Sequence, residues 1–92
     1  MESLKGKHVL VAGATGGIGS AIVKLLTGSG AIVFITGRNT EKLNAIATAN
    51  NIPAERVFVA ELSDEAKRNS MADNIHGMVS QLDILINAAG IG

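Results

Sequence analysis

These 92 residues predict an α/β fold, the first half of a doubly wound parallel sheet in which strands and helices alternate along the chain. Short runs of consecutive apolar residues, typical of strands buried on both faces, occur four times. Segments with a helical spacing of apolar residues lie between these runs. A cluster of four glycines within residues 13–19 separates the first run from the first helix.

The first strand is predicted over residues 8–12 and the first helix over 17–27. Gly28 and Gly30 are natural C-terminal stops for this helix, because glycine readily adopts the conformations that end helices. A second buried strand is predicted over 31–36. The apolar residues at helical spacing give the first helix its predicted inward face: Ile18, Ala21, Ile22, Leu25 and Leu26.

The second helix is predicted to begin at Asn39 or Thr40, since either side chain can cap it. It ends near residues 50–51, because Pro53 prevents its continuation. A third strand is predicted over 56–60. The predicted inward face of the second helix comprises Leu43, Ile46 and Ala47.

The third helix has Ser63 as its predicted N-cap, with Asp64 and Glu65 in an acidic first turn. A fourth strand is predicted over 83–86. Alternating strands and helices with right-handed crossovers predict a Rossmann-type βαβαβαβ chain with strand order 3-2-1-4. The predicted core face of the third helix comprises Met71, Ile75, Met78 and Val79.

The glycine cluster predicts a binding site for a dinucleotide. Glycines at a strand–helix junction allow a tight turn, close approach of a ligand and close packing of the helix on its strand. The unpaired N–H groups at the start of the helix, together with its positive dipole end, attract a pyrophosphate. The alternative is a tight structural turn that binds no ligand.

Composition excludes several other classes of protein. The formal net charge is zero and no basic cluster occurs, which argues against nucleic acid as a partner. The sequence has no cysteine, and therefore no disulfide framework and no thiolate metal site. Neither a secretory signal nor an apolar run long enough to span a bilayer is present, so we expect a cytoplasmic protein without a membrane partner.

Two motifs resemble those of the short-chain dehydrogenases/reductases. AGATGGIG over residues 12–19 resembles their TGxxxGxG loop, with Ala12 in place of the usual Thr. LINAAG over residues 85–90 resembles their NNAG element, with Ala88 in place of the second Asn. The resemblance covers essentially the whole chain. The FVAELSDEA and TGRNTEKL segments are most similar to bacterial 3-oxoacyl-[acyl-carrier-protein] reductases.

This resemblance implies an enzyme that transfers a hydride from NADPH to a ketone carbon, here in a 3-oxoacyl thioester carried by acyl carrier protein or in another carbonyl substrate. It implies an asparagine beside the cofactor at Asn87, and Glu61 stands where the family commonly has Asp or Asn. The cofactor-binding residues expected from the glycine cluster and the resemblance together are Gly13, Ala14, Thr15, Gly16, Gly17, Ile18, Gly19, Arg38, Glu61, Leu62, Asn87, Ala88, Ala89 and Gly90.

The family's catalytic Ser, Tyr and Lys lie well downstream of the NNAG element and are not among these residues. We therefore expect residues 1–92 to be the N-terminal part of a cofactor-binding domain, apparently truncated, from an enzyme that forms a homo-oligomer. On its own, this part is expected to lack dehydrogenase activity and to self-associate, because an exposed sheet edge invites pairing with another chain.

Arg38 predicts a preference for NADP(H). It follows the second strand, where an acidic residue would bind the ribose 2′-OH of NAD, and no Asp or Glu lies between Ile35 and Thr40. An arginine there can neutralise the 2′-phosphate of NADP with its forked donors. The alternative is a solvated loop arginine.

Two other functions are possible. Gly13, Gly16 and Gly19 also satisfy the GxxGxxG loop of the related epimerases, although those relatives carry His-x-Ala where this chain has NAAG. A non-catalytic nucleotide-binding or interaction module is the other alternative. His8 and His76 have no Cys, Asp or Glu at ligand spacing, and we expect neither to be functional.

Overall fold

The computed structural model describes residues 4–59, 65–78 and 82–88. In this part of the chain, four strands form one parallel sheet in the order β3-β2-β1-β4, which confirms the predicted topology. The elements are β1 (His8–Ala12), α1 (Gly17–Gly28), β2 (Ile32–Gly37), α2 (Thr40–Ala49), β3 (Val57–Val59), α3 (Glu65–Met78) and β4 (Ile84–Asn87), with a 3₁₀ turn at Ala54–Arg56 before β3.

The sheet has a helical layer on each face. Side chains alternate between the two faces of a strand, so neighbouring core residues of β1 and β2 belong to different clusters. On the face that α1 and α2 cover, the buried residues include Val9, Val11, Val23, Leu26, Val33, Ile35, Leu43 and Ala47. On the α3 face, the buried cluster is Leu10, Phe34, Met71 and Ile75.

Most predicted boundaries lie within one or two residues of those observed. The side chain of Asn39 accepts a hydrogen bond from the Lys42 amide at 3.0 Å, which makes Asn39 the N-cap of α2. Gly30 follows α1 with a φ of +85°, in the left-handed region that side chains disfavour. β3 begins one residue later than predicted, because Arg56 belongs to the 3₁₀ turn, and the predicted Ala60 position lies outside the described residues.

The predicted inward face of α1 is only partly correct: Ile22 and Leu26 pack against the core, whereas three other predicted residues do not. Ile18 and Leu25 are 47% and 61% exposed, and Ala21 is exposed as well. The prediction counted only large apolar side chains, whereas the first turn of α1 places Gly19, which has no side chain, toward the loop and the sheet. The residues that pack inward have the spacing i, i+3, i+4, i+7 and are Gly19, Ile22, Val23 and Leu26.

The predicted core face of α3 is only partly correct. Met71 and Ile75 are buried against Leu10 and Phe34, whereas Met78 is 42% exposed. Met78 is the last residue of α3 and lies a turn beyond Ile75, outside that buried cluster. The predicted Ser63, Asp64 and Val79 positions lie outside the described residues.

The fourth strand begins one residue later than predicted, and in the described part of the chain it pairs only with β1. Leu85, on the α3 face of this strand, is 63% exposed. No helix among the described residues is long and apolar enough to cross a membrane.

Candidate dinucleotide site

The glycine loop connects β1 to α1 at the carboxyl edge of the sheet. Gly13 has a φ of +74°, a conformation that strongly favours glycine. The amides of Gly13 and Ala14 both donate to the carbonyl oxygen of Thr36, at 3.0 and 3.2 Å. The first half of the loop is therefore fastened to the end of β2.

The N-terminus of α1 lacks the usual polar caps. Its N-cap residue is Gly16, no side chain caps the helix, and its first turn contains no acidic residue. Ser20 is the first residue of the helix whose amide is bonded, to the Gly16 carbonyl at 2.9 Å. Among the described residues, the amides of Gly17, Ile18 and Gly19 have no acceptor. Three N–H groups and a positive dipole end are thus left for an anion.

Gly19 and Gly17 have different structural roles. A Cβ on the buried Gly19 would overlap the carbonyl oxygen of Gly13 and lie 3.0 Å from the Cα of Ala14. A Cβ on Gly17 would meet no atom within 4 Å. The glycine at position 19 therefore allows α1 to pack against its own loop, as the third glycine of a dinucleotide fingerprint does.

Arg38 lies beside the glycine loop at the end of β2. Thr15 of the loop packs against Gly37, and a Cβ built on Gly37 would lie 3.3 Å from its Cγ2. Arg38 follows Gly37 directly and is exposed. The loop and the arginine, which are more than twenty residues apart in sequence, are therefore neighbours at one edge of the sheet.

The end of β4 meets the same edge. Asn87 is paired in register with Ala12, the last residue of β1. The amide of Ala88 donates to the carbonyl of Ala12 at 2.8 Å. The structure thus brings together the glycine loop, Arg38, Asn87 and Ala88. The remaining predicted site residues lie outside the described part of the chain: Glu61, Leu62, Ala89 and Gly90.

A groove between α3 and β4 opens beside Asn87 and was not foreseen from the sequence. Its volume is about 370 Å³, and its lining is mainly apolar. No sequence motif marks such a groove, since it arises from the packing of α3 on one face of the sheet. Its lining includes Leu10, Met71, Ile75, His76, Leu85 and Asn87.

At the amino ends of the strands, opposite the glycine loop, His8 has an acidic neighbour. This contradicts the sequence-based expectation that the histidine has no acidic partner. The His8 amide donates to Oδ2 of Asp83 at 2.8 Å, and the same oxygen lies 3.6 Å from Nδ1 of His8. The Asp83 amide in turn donates to the His8 carbonyl at 2.9 Å. The two residues are 75 positions apart, so local spacing gave no sign of the pair. Their contacts join the starts of β1 and β4.

The strand order and the glycine loop define this chain as a Rossmann-type α/β domain. Residues 7–92 match the sequence model of the short chain dehydrogenases, and the chain belongs to that family. It is 41% identical over 92 residues to the 3-oxoacyl-[acyl-carrier-protein] reductase FabG of Aquifex aeolicus, a match that covers 96% of this chain and 37% of that protein. The resemblance noted from the motifs is thereby confirmed.

Solved structures agree with this assignment. A metagenomic short-chain oxidoreductase in complex with NADP is 30% identical with a TM-score of 0.82, over 90% of this chain and 38% of that one. The RhlG/NADP active-site complex of Pseudomonas aeruginosa is 34% identical with a TM-score of 0.79, over 91% of this chain and 34% of that one. The chain spans well under half the length of the curated relatives it matches.

Proposed function

We propose that this chain binds NADP(H) and forms the cofactor-binding part of an NADPH-dependent carbonyl reductase. The observation that carries the proposal is the N-terminus of α1, where three amides have no acceptor among the described residues, no side chain caps the helix there, and the first turn holds no acidic residue. A structural helix of this length usually has a polar N-cap, as α2 has Asn39. An uncapped terminus beside a glycine turn fits a bound pyrophosphate.

The proposed selectivity for NADP(H) depends on Arg38. This exposed guanidinium lies beside the glycine loop, where the 2′-phosphate of the adenosine would be. Its planar fork can donate two parallel hydrogen bonds to phosphate oxygens. Two structural relatives solved with NADP support this proposal.

The proposed cofactor contacts divide between three segments of the sheet edge. Residues 13–19 would hold the pyrophosphate, Arg38 the adenosine phosphate, and Asn87 with Ala88 would lie beside the rest of the cofactor. When bound, the nicotinamide supplies a hydride to the substrate carbonyl. The 92 residues contain no tyrosine, so the proton donor expected from the family resemblance is not among them.

We further propose that the substrate is a 3-oxoacyl thioester carried by acyl carrier protein. The 41% identity to the Aquifex aeolicus reductase supports this choice. The match covers 37% of that protein, so the proposal concerns the activity of a longer enzyme of which residues 1–92 would form part. The homo-oligomer, the self-association of residues 1–92 and the cytoplasmic location expected from the sequence remain predictions.

Calorimetric titrations of the longer enzyme that contains these residues, with NADPH and with NADH, test the cofactor proposal. We expect tighter binding of NADPH, and we expect Arg38→Ala to weaken it by about 1.5–3 kcal/mol, the range for hydrogen bonds to charged groups. NADH affinity should hardly change, since NADH has no 2′-phosphate. Lys24→Ala is the matched control, because it removes the same charge from an exposed position on α1. An equal loss for both nucleotides with Arg38→Ala would show that Arg38 does not contact the phosphate.

A further inference from the structure

We infer that Gly37 is a positioning residue of the cofactor site. Gly37 has no side chain, and Thr15 of the glycine loop occupies the space that a side chain at this position would need. This inference rests on the proposed function. It concerns how the loop and Arg38 are held at a fixed distance from each other. Gly37 lies between the two, as the last residue of β2 and the immediate neighbour of Arg38.

The contacts around Gly37 show which neighbour would have to move. A Cβ at this position would lie 3.3 Å from Cγ2 of Thr15, closer than nine in ten real contacts of this kind. The next distances, 3.5 Å to Cδ2 of Leu43 and 3.6 Å to Oγ1 of Thr15, are ordinary van der Waals contacts. Leu43 is fully buried in the core, whereas Thr15 is only partly buried. A methyl group on residue 37 would therefore crowd the Cγ2 of Thr15 before it crowds Leu43, and Thr15 would have to move by a few tenths of an ångström.

A displacement of Thr15 passes directly to the proposed phosphate-binding amides. On one side Thr15 adjoins Ala14, whose amide is fixed to the Thr36 carbonyl at 3.2 Å. On the other side it adjoins Gly16, the N-cap of α1. The Gly16 amide is also bonded, to the Gly13 carbonyl at 3.3 Å, so a shift of Thr15 is carried by the whole turn that precedes the amides of Gly17, Ile18 and Gly19.

Both proposed phosphate contacts therefore depend on residues 36–38, which are the last two residues of β2 and the residue that follows them. The Thr36 carbonyl holds the loop, Gly37 sets where Thr15 stands, and Arg38 would meet the 2′-phosphate. A shift of the loop relative to Arg38 affects NADPH more than NADH, because only NADPH needs both contacts together. This difference separates positioning from a general loss of fold.

The test compares Gly37→Ala with Gly77→Ala, whose added Cβ meets no atom of the described residues within 4 Å. We expect Gly37→Ala to lower NADPH affinity by about threefold to tenfold, the scale of weakening one hydrogen bond, with a smaller loss for NADH. Gly77→Ala should leave both affinities unchanged. Thr15→Ser removes the crowded Cγ2 and keeps the hydroxyl. The double variant Gly37→Ala with Thr15→Ser should therefore bind NADPH within about twofold of Thr15→Ser alone.

The outcomes distinguish this inference from the proposed function. A wild-type protein that binds neither nucleotide overturns both. A wild-type protein that binds NADPH, with Gly37→Ala binding it equally well, overturns the role of Gly37 alone. Equal losses for NADPH and NADH, or no rescue by Thr15→Ser, also overturn it. If Gly37→Ala does not fold, the double variant decides, since it must regain both its thermal unfolding transition and NADPH binding.

Discussion

Replacing Gly19 with alanine adds one methyl group where α1 packs against its own loop. That methyl would overlap the carbonyl oxygen of Gly13 and lie 3.0 Å from the Cα of Ala14. Both are backbone atoms, so no side-chain rotation can relieve the contact. The loop cannot move away freely either, because the amides of both residues are bonded to the Thr36 carbonyl.

The size of the effect follows from three contributions. A Gly→Ala change in a helix interior without steric conflict stabilises a protein by about 0.5–1 kcal/mol. Overpacking by a methyl group costs about 1–3 kcal/mol. Weakening the two hydrogen bonds to Thr36 costs about 1 kcal/mol for each. We therefore expect Gly19→Ala to lower the free energy of unfolding by about 2–4 kcal/mol, a large part of the roughly 5–15 kcal/mol typical of a domain.

Denaturant unfolding followed by circular dichroism measures this loss. Gly28→Ala is the matched control, since it lies in the same helix and its Cβ would meet no atom within 4 Å. It should be neutral or stabilise the protein by up to about 1 kcal/mol. If Gly19→Ala is as stable as Gly28→Ala, the steric argument is refuted, and Gly19 has no packing role that a methyl group disturbs.

Two further substitutions test contacts outside the glycine loop. Asn39→Ala should lower the free energy of unfolding by about 1 kcal/mol, because it removes the N-cap of α2. The control Asn44→Ala, in the exposed middle of the same helix, should not lower it. Equal thermal unfolding of the two variants would contradict the capping role of Asn39. Asp83→Ala should lower the free energy of unfolding by about 1 kcal/mol, because the hydrogen bond from the His8 amide is lost. Glu55→Ala, which removes an exposed acidic side chain, should leave this free energy unchanged. Denaturant unfolding measures both variants, and equal losses would contradict a stabilising contact between Asp83 and His8.

The elements and their order could be predicted because their signals are local. Runs of consecutive apolar residues mark strands that are buried on both faces, and a capping asparagine or a glycine marks where a helix begins or ends. Asn39 and Gly30 show this, since each lies at the predicted boundary with the expected geometry. The strand order then followed from the handedness of the crossovers.

The details of the site were harder to predict, because they depend on contacts between residues that are distant in the sequence. The inward face of α1 was misassigned in part because Gly19, which has no side chain to count as apolar, is one of its contact residues. The Thr36 carbonyl binds two loop amides, and a backbone acceptor has no sequence signature. The pair of His8 and Asp83 depends on the register between β1 and β4.

The position of β1 between β2 and β4 has a consequence for the order of folding. β1, α1 and β2 are consecutive along the chain, so they can form a βαβ unit by closing a short loop. The pairing of β1 with β4 joins residues 75 positions apart, and the entropy of closing so long a loop makes this the later event. Asn87 therefore reaches the glycine loop only after β1 and β4 have paired, so we expect this part of the proposed nucleotide site to form later than the glycine loop and Arg38.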